Sequence, residues 1–176
     1  MIRNYMFFRK TPMFAFAPGV PSSAVQAMSA QFALQCATFD VLLRKVGEHQ
    51  VRLAAMQAAV ARLTPAGRQC EVISLVRVRL QIEIRYLREQ TARFAAQVQS
   101  VDAGVHDTGA NLIAETQDRV VDMVALATRS NGVCAPAMMR AIKGAIDRAN
   151  IEIERIRQCM ALVSRDALEL ENQLRR

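Results

Sequence analysis

The chain has 176 residues, 52% hydrophobic and 22% charged, which is enough apolar material for a packed core and excludes a compositionally disordered chain. Seven Gly, five Pro, 5% aromatics and no Trp favour long uninterrupted helical elements. The formal net charge of +7 is uneven: residues 1–99 hold 13 Lys/Arg against 5 Asp/Glu, and residues 100–176 hold 10 against 11. A basic front half calls for an acidic partner, whether a membrane surface, an acidic protein segment or a nucleic acid. The basic stretches lack base-stacking aromatics, so a membrane or a protein is expected and a nucleic acid is not.

Residues 1–21 read as an extended arm, because Pro12, Pro18, Pro21 and Gly19 punctuate it. The arm is basic and apolar together: Arg3, Phe7, Phe8, Arg9, Lys10, Phe14 and Phe16. Its apolar run over 13–17 is short for a signal-peptide core. An acid-free, Arg-containing start also fits a mitochondrial presequence, which gives the alternative of a mitochondrial structural subunit. Ser22 and Ser23 can cap a helix start. From there a seven-residue repeat runs Val25, Met28, Phe32, Gln35, Phe39, Leu42, Val46, His49, Leu53, Met56, Val60 and Leu63. This is a seam that needs a second helix along its full length.

The segment Thr64, Pro65, Ala66, Gly67 reads as a compact helix–helix turn. A second helix is expected over about 68–101, with a weaker repeat at Ile73, Val76, Leu80, Glu83, Leu87, Gln90, Phe94, Gln97 and Val101. Within it Val76, Val78, Leu80, Ile82, Ile84 and Tyr86 alternate with polar residues, the period of a half-buried strand. No partner strand is evident, so the preferred reading is a helix with two apolar faces, the second being a binding face. Gly104, His106, Asp107, Thr108 and Gly109 read as a hinge or turn, followed by a shorter helix over about 111–129. Asn131 and Gly132 end that helix, and Pro136 suits the first turn of the next. The last repeat is apolar throughout: Met139, Ile142, Ile146, Ala149, Ile153, Ile156, Met160, Val163, Ala167, Leu170 and Leu174. The expectation is therefore an all-α protein: a long antiparallel helical hairpin over 22–103, with further helices over 110–176 packed on it.

The sequence carries no glycine-rich phosphate loop, HExxH, nucleophile elbow or EF-hand loop, and an enzyme is not expected. Two histidines offer little acid–base capacity, and His49 falls on the first seam as a core residue. Cys36, Cys70, Cys134 and Cys159 are widely spaced with no CxxC pair, so buried reduced thiols are expected and neither a metal nor a cofactor. Glu152 with Glu154 and Glu169 with Glu171 are read as solvated helix surface. No stretch is long and apolar enough to span a bilayer.

The order of these features resembles an ESCRT-III subunit of the charged multivesicular body protein family. The opening Met6, Phe7, Phe8, Arg9, Lys10, Thr11, Pro12 is similar to the N-terminus of one branch. The hairpin turning near Gly67 resembles the family's core. Arg85, Tyr86, Leu87, Arg88, followed by 94–99, resembles its mid-second-helix segment. The helix opened by Pro136, with Met138, Met139, Arg140 and Ile142, resembles the later helix that folds back in closed subunits. The chain departs from the family in its Ala-rich, sparsely charged first helix and in an additional stretch over 13–23. It also departs in ending without the acidic linker and terminal motif presented to the disassembling AAA ATPase.

The resemblance implies a non-catalytic, cytoplasmic subunit, peripheral on endosomal or other membranes. Such a subunit polymerises with itself or related helical subunits on anionic membranes during remodelling, scission and endosomal sorting. It implies membrane contact by Arg3, Phe7, Phe8, Arg9, Lys10, Phe14, Phe16, Arg44, Lys45 and Arg52. It implies subunit contact by Val78, Ile82, Arg85, Tyr86, Arg88, Leu170 and Leu174, and an AAA ATPase among the partners. The competing expectation is a soluble coiled-coil adaptor or stalk in another complex, such as a secretion apparatus.

Overall fold

The computed structural model describes residues 23–63, 70–129 and 136–175. They form three helices, α1 (Ser23–Arg62), α2 (Cys70–Arg129) and α3 (Pro136–Leu174). The all-α expectation holds, and the described residues contain no strand. Residues 76–86 lie within α2, so helical packing overrides their period-two alternation. Pro136 opens α3, where its missing N–H leaves no helical bond unmade.

The expected break at 104–109 is absent. α2 runs through it without interruption for 60 residues, and 111–129 are its last turns and not a separate helix. At about 1.5 Å per residue α2 is roughly 90 Å long. Gly109 is needed for close approach. A Cβ there would sit 2.6 Å from Met160 Sδ on α3 and 2.9 Å from Phe32 Cε2 on α1. The glycine lets three helices converge at one level, and a packing requirement thus imitates a hinge in the sequence.

α1 and α3 run parallel to each other and antiparallel to α2. Over the middle of α2 all three pack together around Phe32, Cys36, Phe39, Val98, Val105, Leu112, Ile156, Cys159 and Val163. Outside this zone the fold thins to two helices at each end. Towards one end the later half of α1 accompanies the start of α2, and its seam residues His49, Leu53, Met56, Val60 and Leu63 are only half-buried. Towards the other, Ile142, Ala145 and Ala149 are buried on α3, which packs on α2.

The α1 seam faces inward as its repeat predicts. The α2 seam is displaced: Leu87, Phe94 and Val101 hold their places, but the alternate column is Ile84, Thr91, Val98 and Val105, one residue on from Glu83, Gln90 and Gln97. Threonine is tolerated there because its hydroxyl bonds its own helix. Thr91 Oγ1 donates to the Leu87 carbonyl at 2.7 Å and Thr116 Oγ1 to that of Leu112 at 2.7 Å. Glu152, read as solvated, is buried on α3. Burial pushes its carboxyl pKa up while Arg155, 3.9 Å away, opposes the shift.

Candidate functional site

The first turns of α2 carry apolar residues on two sides. Ile84 and Leu87 point into the hairpin. On the opposite side Val72 (68% exposed), Leu75 (71%), Ile82 (64%) and Tyr86 (59%) form a stripe at helical spacing, flanked by Val76 and Val78. Arg77, Arg79, Arg85 and Arg88 are exposed among them. Arg79 meets only Glu83 at 3.9 Å, a solvated pair of small energetic weight. After Tyr86 this side of the helix turns polar, with Glu89, Arg93, Gln97 and Ser100. The stripe is therefore confined to residues 72–86. Contiguous exposed apolar surface rimmed by charge marks a contact face.

The structure brings the expected subunit-contact residues Val78, Ile82, Arg85, Tyr86 and Arg88 to this end of α2, all exposed. Arg85 and Arg88 also line a shallow groove of about 420 Å³ with Gln57, Val60, Gln81 and Ile84, where α2 meets α1. Leu170 is a correction: it is 5% exposed and belongs to the chain's own core, so in this arrangement another subunit cannot reach it. Leu174, at the end of α3, is exposed.

Of the residues assigned to membrane contact, Arg3, Phe7, Phe8, Arg9, Lys10, Phe14 and Phe16 lie outside the described residues. Arg44, Lys45 and Arg52 are exposed on α1. Arg44 pairs with Glu48 at 3.9 Å. Lys45 holds its Nζ 5.3 Å from the centre of the Phe94 ring, a cation–π contact. The same ring takes the edge of His49 at 5.3 Å and 75°. His49 is thus an inward-facing seam residue, as its repeat position indicates. Its Nδ1 is buried and has no partner.

Two polar clusters escaped sequence reasoning because each joins residues far apart in the chain. In the first, Ser164 Oγ on α3 donates to Asp102 Oδ1 at 3.1 Å and meets His106 Nε2 on α2. Serine, histidine and aspartate together invite comparison with a hydrolytic triad. The geometry differs, because Asp102 Oδ1 lies 3.7 Å from the same Nε2 that contacts the serine, whereas a triad orients the ring through its other nitrogen. The arrangement is a polar clasp between α2 and α3. The second cluster sits between α1 and α3. Cys36 and Cys159 hold their sulfurs 3.2 Å apart beside Asp40. Burial, with Asp166 adding like charge, raises the Asp40 carboxyl to about 6.

Among the described residues no group of His, Cys, Asp or Glu could hold a metal ion, and no helix is long and apolar enough to cross a membrane. No protein-family model, no curated protein and no solved structure matches the chain.

Proposed function

We propose that the chain is a structural, non-catalytic subunit that self-associates through the outer face of α2 and meets an anionic membrane with its basic front half. One observation carries the assembly part of this reading: α2 has two apolar faces over residues 72–86, and α1 covers only one of them. Among the described residues nothing covers Val72, Leu75, Ile82 and Tyr86, and a helix from a second copy would bury them. The interleaved arginines keep that face basic, which suits a neighbour's acidic helix or a lipid phosphate and disfavours unregulated collapse.

The membrane part rests on charge distribution and on the likeness of 6–12 and 85–99 to the ESCRT-III pattern. An apolar arm beside Arg3, Arg9 and Lys10 has the composition of a shallow interfacial anchor, which two weak signals together hold on a membrane. The test is sedimentation of the full chain with vesicles of phosphatidylserine and phosphatidylcholine at low and high salt, with negative-stain microscopy of the pellets. The reading expects salt-sensitive binding and polymers. A single small oligomer that ignores the vesicles replaces it with a soluble helical adaptor.

A further inference from the structure

Cys36 and Cys159 are 123 residues apart in sequence, yet their sulfurs lie 3.2 Å apart in the core, each residue 3% exposed. Both are free thiols. They sit where α1 and α3 run side by side, between the convergence of Phe32 with Met160 at Gly109 and the approach of Asp40 to Asp166. α1 and α3 touch each other far less than either touches α2, so the thiol pair lies on the thinnest joint of the bundle. A disulfide requires the sulfurs to close from 3.2 Å to about 2.05 Å, a movement within reach of small side-chain rotations.

We propose that Cys36 and Cys159 form an oxidation site that a small hydroperoxide converts into an intrachain disulfide tying α1 to α3. Either sulfur can donate the hydrogen bond of the pair, so a thiolate at one position is steadied by the S–H of the other. In the first step one of the two sulfurs, as its thiolate, attacks one peroxide oxygen and the O–O bond breaks. The leaving oxygen takes a proton, and that cysteine becomes a sulfenic acid. In the second step the other sulfur attacks the sulfenic sulfur. The S–S bond forms, the S–O bond breaks, and hydroxide leaves as water with the proton from the second thiol. Two thiols and one hydroperoxide thus give one disulfide, one alcohol (water, for hydrogen peroxide) and one water; the sulfurs lose the two electrons that the O–O bond gains. Both thiols are buried, so the reaction is slow and admits only a small oxidant.

The test treats the reduced full chain with a small excess of hydrogen peroxide. Remaining thiols are then blocked with N-ethylmaleimide in denaturant, and the chain is digested for peptide mapping. The expected result is one dominant cross-linked peptide joining residues 36 and 159, lost in Cys36→Ala and in Cys159→Ala. The linked chain also unfolds at a higher urea midpoint and returns to the parent midpoint on reduction. Mapping the wild-type chain suffices alone if either variant fails to fold. Recovery of Cys36 and Cys159 as separate maleimide adducts, under conditions that oxidise Cys70 or Cys134, overturns the proposal. Recovery as two separate sulfinic acids overturns it equally.

Discussion

Gly109→Ala and Gly104→Ala should move stability in opposite directions, although the two residues lie five apart on one helix. In an exposed helix interior either substitution would gain about 1 kcal/mol from helix propensity alone. At Gly109 the new Cβ meets Met160 Sδ at 2.6 Å, Phe32 Cε2 at 2.9 Å and Met160 Cγ at 3.1 Å. The Met160 chain can turn aside, but the Phe32 ring is fully buried and packed on every side. Overpacking of this kind costs about 1–3 kcal/mol, so the clash outweighs the propensity gain and leaves a net loss of about 1 kcal/mol. At Gly104 the nearest atom is the amide nitrogen of Gln35 at 3.0 Å, the far end of a flexible side chain. That amide can swing away, so Gly104→Ala should gain about 0.5–1 kcal/mol. Urea unfolding followed by circular dichroism at equal chain concentration reads both. A Gly109→Ala chain stabilised as much as Gly104→Ala would refute the packing argument and restore a hinge at this position.

Three further outcomes follow from the same geometry. Phe39→Ala empties a fully buried site and should cost about 3–5 kcal/mol in the same urea assay. Ile82→Ser, at an exposed position, should leave monomer stability within about 0.5 kcal/mol while weakening association measured by light scattering. The folded-state pKa of Asp40, about 6, lies above its ordinary value of 3.8, so the folded chain holds a proton that the unfolded chain releases between these values. Its contribution to stability is therefore fullest below about 3.8 and is lost as pH rises through about 6. Asp40→Asn should flatten that part of the stability–pH profile; an unchanged slope between pH 4 and 6.5 would remove Asp40 as the source.

The helical fold was legible because seven-residue repeats report burial directly. Val25, Phe32, Phe39 and Val46 face the core as their spacing requires. The α2 seam was legible only in half. Its Thr91 and Thr116 satisfy their hydroxyls on the preceding turn and so occupy core positions that a hydrophobicity count assigns elsewhere. The uninterrupted course of α2 was masked by Gly104 and Gly109, since a glycine spared for close helix approach and a glycine spared for flexibility are the same letter. The outer apolar face was visible in the sequence, as a conflict between two periods over 76–86, and the structure resolves it into a stripe with no cover among the described residues. The Cys36–Cys159 contact and the Asp102, His106, Ser164 clasp were not visible. They depend on the register of α3 against its neighbours, which no local pattern sets.

The central claim is assembly through the outer face of α2, and sedimentation velocity of the full chain across a hundredfold concentration range tests it most directly. The account predicts a sedimentation coefficient that climbs with concentration for the wild-type chain and stays at the monomer value for the double variant Ile82→Ser, Tyr86→Ser. A wild-type chain that remains monomeric throughout, or a double variant that associates just as strongly, would contradict it.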